Sequence, residues 1–86
     1  MYVDSYFSPH NRYSLGVEVG SGRKYLSIPV SNGVFDYEEY YELDADEYSV
    51  SSSDQLAASE FAQSCRERER DDRLIERPGW NRGTPV

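Results

Sequence analysis

Two neighbouring stretches of the chain alternate apolar and polar residues with a period of two, the pattern of a β-strand with one buried face. In residues 13–19 the apolar positions are Tyr13, Leu15, Val17 and Val19. In residues 25–30 they are Leu26, Ile28 and Val30. Turn-forming residues follow each stretch, at 20–22 and 32–33. This arrangement predicts an antiparallel meander with a third strand over 34–43.

The turn residues also predict which residues of the meander lie side by side. Asn32-Gly33 favours a two-residue type I′ turn, because both central residues of that turn need a positive φ. Such a turn places Val30 beside Phe35. A four-residue loop in the preceding hairpin places Val17 beside Leu26. The two registers put the same apolar residues on one face of the sheet, which supports the meander.

Two residues fit a regular meander poorly. Pro29 has no backbone N–H to donate within a central strand, so we expect a bulge or an early end of the strand there. Glu39 falls on the buried face of the third strand. We therefore expect the Glu38-Glu39 pair to mark a second bulge.

The second half of the chain predicts one helix. Ser52 or Ser53 can cap it, and Ser52-x-x-Gln55 matches a capping box. The apolar stripe that follows consists of Leu56, Ala58, Phe61, Ala62 and Cys65. The helix is expected to end at 71–72, after a segment rich in arginine and glutamate. Residues 73–76 then offer a short fourth strand at a sheet edge.

We expect an α+β fold, in which a three-stranded or four-stranded antiparallel meander carries the C-terminal helix on one face. The 86 residues allow one small domain, assigned to 1–77, and a turn-rich tail at 78–86. Only 17 residues are Leu, Ile, Val or Phe and the net charge is −7, so the eight tyrosines must help to form the core. Trp80 is expected to fold back onto the domain.

Composition excludes several classes of protein. No apolar run approaches the length that spans a bilayer, and the first residues lack the basic and apolar regions of a signal peptide. One cysteine forms no internal disulfide, so we expect a cytoplasmic protein. The acidic balance disfavours binding to nucleic acid or to anionic membranes. A basic protein is the partner that charge favours.

The segment 36–48 has the most distinctive chemistry, with seven carboxylates, four tyrosines and no basic residue. Tyrosine offers rigid contact area, and carboxylates accept bidentate hydrogen bonds from arginine. We interpret most of this segment, together with a tyrosine of the facing strand, as a partner-binding surface. Its predicted residues are Tyr25, Asp36, Glu38, Tyr40, Tyr41, Glu42, Asp44, Asp46 and Glu47. The other interpretation is a half-buried strand whose acids protect a sheet edge.

This combination of acid and tyrosine is similar to what small inhibitor and immunity proteins of bacterial nucleases present to basic targets. The similarity implies a non-catalytic acidic protein-binding module, with inhibition as one role. The alternative is a structural homodimer or complex subunit that uses the uncovered sheet face or an edge strand.

Catalytic and metal-binding motifs are not found in the sequence. Cys65 lies on the apolar stripe of the helix, so we expect a small buried hydrophobe rather than a nucleophile paired with His10. An EF-hand loop within the acidic segment needs glycine at its sixth position, where Tyr41 or Ser49 stands. We therefore expect no enzyme, no metal and no cofactor.

Overall fold

The structure is a computed structural model that describes residues 1–86. Its strands are β1 (Tyr2–Ser8), β2 (Tyr13–Glu18), β3 (Arg23–Ser31), β4 (Asp36–Leu43) and β5 (Thr84–Pro85). Its helices are α1 (Ala45–Ser53) and α2 (Gln55–Arg66), and a 3₁₀ turn follows at Asp71–Arg73. Strands β1 to β4 form an antiparallel sheet in chain order, and β5 pairs with β3. The α+β class is confirmed, but the predicted single helix is wrong, and the sheet has a fifth, short strand.

Strand β1 is an element that the sequence pattern does not reveal. Its alternation is interrupted by a bulge near its middle, and five of its seven residues are exposed. The expected strand at 73–76 is reduced to one β-bridge, between Leu74 and Tyr41, and one hydrogen bond from the Ile75 N–H to the Tyr40 carbonyl oxygen. One edge of the sheet is therefore β1, and the other edge is partly covered.

Two helices replace the single one predicted. Asp44 and Glu47 form a capping box that begins α1, a helix without an apolar stripe. Helix α2 begins after Asp54, whose carboxylate accepts hydrogen bonds from two N–H groups of the first turn, and it ends before the predicted 71–72. Leu56, expected in the apolar stripe, is 70% exposed. The buried residues of α2 are Ala58, Ala62 and Cys65.

The faces of the sheet agree with the prediction, although the registers are shifted by two residues. Val30 lies beside Tyr37 instead of Phe35. The expected two-residue turn is wrong, because the hairpin has a four-residue loop in which the Asn32 side chain accepts hydrogen bonds from two backbone N–H groups. The preceding hairpin has the expected loop length but places it at 19–22. A shift of two keeps the side chains of the strands on their predicted faces. Val19 and Phe35, expected on the buried face, fall in the loops instead and are 61% and 57% exposed, which corrects the expectation for both.

Pro29 is accommodated without a bulge, which corrects the expectation for that residue. Strand β3 continues through it to Ser31. Pairing between β3 and β2 ends at Ser27, and beyond that point the Pro29 carbonyl oxygen accepts a hydrogen bond from the Val86 N–H at 3.2 Å. The N–H and carbonyl of a strand residue point to the same side, so the missing N–H falls where β2 has already ended.

The main core lies between the sheet and α2. It is formed by Tyr13, Leu15, Leu26, Ile28, Val30, Tyr41, Leu43, Ala58, Ala62 and Cys65. Partly buried Tyr37, Tyr48, Phe61 and Leu74 pack against these residues. Three of the ten core residues come from α2, and all three are small, so the helix can approach the sheet closely.

Glu39 lies on this core face of β4 with 5% of its surface exposed. The pairing of β3 with β4 is regular through Glu38 and Glu39, so the second bulge expected there is wrong. Arg82 donates to the Glu39 carboxylate at 2.7 and 3.1 Å, and Arg68 donates at 2.8 Å. The Tyr41 hydroxyl donates at 2.9 Å. Burial raises the pKa of Glu39, but these hydrogen bonds and the guanidinium charges outweigh burial and hold the pKa below its ordinary value.

The same arginines fasten the C-terminal segment to the sheet. Asp71 accepts two hydrogen bonds from Arg82, at 2.8 and 2.9 Å. Arg68 donates its second amino group to the Gly83 carbonyl oxygen at 2.7 Å. Residues 78–86, predicted as a turn-rich tail, therefore end in an anchored strand, β5.

We expect Arg82→Met to lower the free energy of unfolding by about 3 kcal/mol, because removing one partner of a buried ion pair leaves the Glu39 carboxylate undercompensated. Glu39→Gln combined with Arg82→Met should recover part of that loss, since the neutral amide oxygen still accepts from Tyr41 and Arg68 but leaves no undercompensated charge. Urea unfolding measures both. Arg77→Met is the control, because Arg77 is exposed and makes no ion pair, and should change stability by less than about 0.5 kcal/mol. A double variant as unstable as Arg82→Met would contradict this account.

Candidate functional site

The predicted partner-binding residues do not share one surface. Successive residues of β4 point to opposite faces, and Tyr41 faces the helices with no exposed surface. This placement corrects the expectation that Tyr41 joins Tyr40 on the surface. On the side away from the helices, β4 and β1 present a set of residues that we call the acidic sheet face. Its members are Tyr2, Asp4, Asp36, Glu38, Tyr40 and Glu42.

Tyr25 points to the acidic sheet face but is sealed there by two other tyrosines. Its ring meets Tyr2 at a centroid distance of 5.4 Å and Tyr40 at 4.9 Å, both edge-on. Tyr2 and Tyr40 stack on each other at 3.6 Å. Tyr25 has no exposed surface, which corrects the expectation that it contacts a partner. Sequence analysis missed Tyr2, because nothing in the pattern of β1 places it over Tyr40.

The buried Tyr25 hydroxyl donates a hydrogen bond to Asp4 at 2.6 Å. Burial raises the pKa of Tyr25, and the Asp4 carboxylate raises it further, so the hydroxyl keeps its proton. The Tyr2 hydroxyl donates to Glu76 at 2.8 Å, beyond the far edge of the sheet. The tyrosines therefore form a second small core on the side without helices.

Glu38 is the carboxylate of the acidic sheet face with the most unusual environment. It is half-buried, accepts a hydrogen bond from the Ser27 hydroxyl at 2.9 Å and makes no ion pair. Burial raises the pKa of Glu38 and the nearby Asp4 charge adds to the rise, against the opposing Ser27 hydrogen bond. Its neighbour Glu39, on the other face, has two arginine partners. The protein thus neutralises one of two adjacent carboxylates and leaves the other without a counter-ion.

An open cavity of about 370 Å³ lies beside Glu38. The carboxylates of Asp4 and Glu38 line it, together with the apolar side chains of Phe7, Pro9 and Pro29. Its one basic side chain, Arg12, is turned to the Val86 carbonyl oxygen at 2.9 Å. An acidic wall beside an apolar one suits an arginine or lysine side chain, whose stem is apolar and whose head is charged.

The acids near α1 serve mainly to build the fold. Asp44 accepts a hydrogen bond from the Glu47 N–H at 2.8 Å, as the cap of α1. Glu47 forms two hydrogen bonds with Arg73, at 2.8 and 3.0 Å, which lower its pKa. Asp46 is exposed and has no ion-pair partner. Of these three predicted residues, only Asp46 keeps a free carboxylate.

The outer acids of β4 are more accessible. Asp36 is exposed and makes no ion pair, and Glu42 lies 3.8 Å from Arg23 in a contact open to solvent. Such exposed pairs contribute little to stability, because solvent screens them. Asp36 and Glu42 therefore remain available on the acidic sheet face.

Cys65 is buried in the core. Cys65 has no exposed surface, as expected, and burial raises the pKa of its thiol to about 12. A thiol of that pKa carries almost no thiolate at neutral pH. No group of three or more His, Cys, Asp or Glu side chains has a geometry that could hold a metal ion.

We expect Gly16→Ala to destabilise the protein by about 3 kcal/mol, because the tyrosine layer crosses β2 at this residue. A Cβ at Gly16 would overlap the Val3 carbonyl oxygen and lie 2.5 Å from the Tyr25 hydroxyl oxygen. Gly20→Ala is a matched control, since its nearest neighbours are the Glu18 carboxylate oxygens at 3.4 Å. Thermal and urea unfolding of both variants measure the difference. Equal effects at the two glycines would show that Gly16 has no special role.

No protein-family model, curated protein or solved structure matches this chain. Neither helix has the length and apolar character that crossing a bilayer requires. The candidate site is accordingly defined by its own geometry: a layer of tyrosines, a cavity beside it, and two carboxylates without a basic partner.

Proposed function

We propose that this chain is a non-catalytic acidic protein-binding module, which docks a basic protein through the acidic sheet face. Inhibition of that partner is the role that best suits a small acidic binding domain. The face differs from the one expected from sequence in three respects. It excludes the buried Tyr25 and Tyr41, and it gains Tyr2 and Asp4 from β1. It also excludes the acids at α1, which are Asp44, Asp46 and Glu47.

The unpaired carboxylate of Glu38 carries the proposal. A half-buried carboxylate beside a second negative charge opposes folding, and the raised pKa of Glu38 expresses that cost. The chain has nine basic residues and uses two of them on Glu39, one position away. A cation supplied by a partner would pair with the Glu38 carboxylate and offset the cost of burying it. Binding to such a partner would explain why this position carries a carboxylate.

Docking would then combine two physical effects. The arginine or lysine of the partner would enter the cavity and pair with Glu38 and Asp4, in a setting where water screens the charges less than at an open surface. The stacked rings of Tyr2 and Tyr40 would provide rigid apolar contact next to that pair. The outer acids, Asp36 and Glu42, would speed encounter with a positively charged surface.

The alternative function is a structural homodimer or complex subunit built through β1. This strand is the open edge of the sheet, with five exposed residues, whereas the β4 edge is partly covered by residues 74–75. An open edge can pair with a strand of another chain. If self-association proves insensitive to Glu38→Gln but is lost when proline replaces a residue in the middle of β1, the alternative is favoured.

We expect Glu38→Gln to weaken binding of an arginine hexapeptide with blocked termini about tenfold, because it removes one charge-assisted hydrogen bond of about 1.5 kcal/mol. Calorimetric titration at low and high salt measures the effect, and added salt should weaken wild-type binding. Glu60→Gln and Asp72→Asn remove one exposed, unpaired charge elsewhere and serve as controls. Equal losses in all three variants would mean that only net charge matters, and the proposed site would be wrong.

The same substitution should raise stability at neutral pH while it lowers binding. The folded chain holds the Glu38 proton more tightly than the unfolded chain, so ionisation of this group opposes folding. That opposition is absent below the ordinary pKa of glutamate and grows as pH rises through the raised value. Urea unfolding should therefore show Glu38→Gln to be more stable than wild type near pH 7, with the difference vanishing in acid. A destabilised variant at neutral pH would contradict this account.

A further inference from the structure

Trp80 stands almost entirely in solvent, which corrects the expectation that it folds back. Its exposed fraction is 98%, the largest of any apolar side chain in the molecule. The short segment around it is held at both ends, by the hydrogen bond that Glu76 accepts from the Tyr2 hydroxyl and by the contacts of Arg82 with Glu39. A fixed loop that projects an indole loses little entropy when the indole is buried by another surface.

A groove between α1 and α2 is the most apolar opening on the molecule. It has a volume of about 290 Å³ and is lined by Val50, Ala57 and Phe61, together with the acids Asp46 and Glu47. Val50 is 52% exposed, although it lies on a helix that packs against another helix. A cavity of about 150 Å³ holds benzene, so this groove has room for an indole.

The charges of the loop and the groove are opposite. Residues 77–82 contain two arginines and no acid. Arg77 makes no ion pair, whereas Arg82 is paired with both Glu39 and Asp71. Of the two acids that line the groove, Glu47 is paired with Arg73, and Asp46 has no ion pair. Arg77, three residues before Trp80, and Asp46, at the groove, are therefore oppositely charged, and neither has an ion-pair partner within the chain.

We propose that Trp80 of one copy docks in the groove between α1 and α2 of a second copy, with Arg77 against Asp46. Both halves of the contact are present on this chain, and their charges are complementary, so a second copy is the occupant that the molecule itself supplies. Each contact joins different surfaces of the two copies. If each copy docks its Trp80 in the groove of the other, the two contacts close a dimer. If each copy instead docks in the groove of a further copy, the contacts build an open chain of molecules.

The fluorescence of Trp80 tests this directly, because it is the only tryptophan. As protein concentration rises, wild-type emission should shift to shorter wavelength while the sedimenting mass rises above that of the monomer. Trp80→Ala alters only an exposed side chain and should stay monomeric over the same range. Emission that remains at the solvent-exposed wavelength, or self-association that persists in Trp80→Ala, overturns the proposal.

A mixing experiment identifies the groove. Val50→Asp keeps the tryptophan but places a charge in the groove, and Trp80→Ala keeps the groove but has no tryptophan. Neither should self-associate, but adding the Trp80→Ala protein should shift the emission of the Val50→Asp protein to shorter wavelength. Val19→Asp, at a residue 61% exposed in the β2–β3 loop, is the matched control and should associate like wild type. Unchanged emission on mixing overturns the assignment of the groove.

Two further variants separate this contact from the acidic sheet face. Arg77→Glu, at an exposed residue outside any helix or strand, should weaken self-association about fivefold by reversing the charge that meets Asp46. Glu38→Gln should leave self-association unchanged while it weakens peptide binding. If Glu38→Gln loses self-association, the proposed contact is overturned. It is also overturned if Arg77→Glu self-associates as strongly as wild type.

Discussion

The pairing of Glu39 with Arg68 and Arg82 is the interaction on which the rest of the structure depends. A carboxylate 5% exposed on the core face of β4 is tolerated only because two guanidinium groups and a tyrosine hydroxyl satisfy it. Arg82 lies 43 positions away in the chain, so this one group draws the C-terminal segment onto the sheet. Both arginines meet Glu39 on the core face, whereas Glu38, one position away on the acidic sheet face, keeps no basic partner.

Local sequence patterns determined which residues face the helices, but not how far each strand slides along its neighbour. Alternation has a period of two, so a register error of two residues leaves every face unchanged, and Val30 is correctly buried beside the wrong partner. The loop of the second hairpin is set by the Asn32 side chain, which competes with the tighter turn that its dipeptide favours. The choice between the two loop conformations depends on small differences in their free energy, which the pattern of turn residues does not reveal.

The candidate site was only partly predictable for a related reason. Asp36, Glu38, Tyr40 and Glu42 could be assigned to one face by counting residues along β4. The burial of Tyr25 depends on β1, whose bulge hides its alternation. The capping box of α1 is visible in the sequence at Asp44 and Glu47. The same two residues belong to a segment with seven carboxylates, which also resembles a binding surface. Contacts between distant segments decided these cases.

The stacking of Tyr2 on Tyr40 has a consequence for how the two outer strands are held. Their strands are the two edges of a four-stranded array, which in a flat sheet lie about 14 Å apart. Tyr2 lies level with Arg23 and Tyr40 lies level with Ser27, so the two rings start from diagonally placed positions, which the twist of a sheet brings together on one face. Their contact at a centroid distance of 3.6 Å ties β1 to β4, although no backbone hydrogen bond joins these two strands. The tyrosine stack is therefore a clasp between strands that the backbone ladder leaves apart.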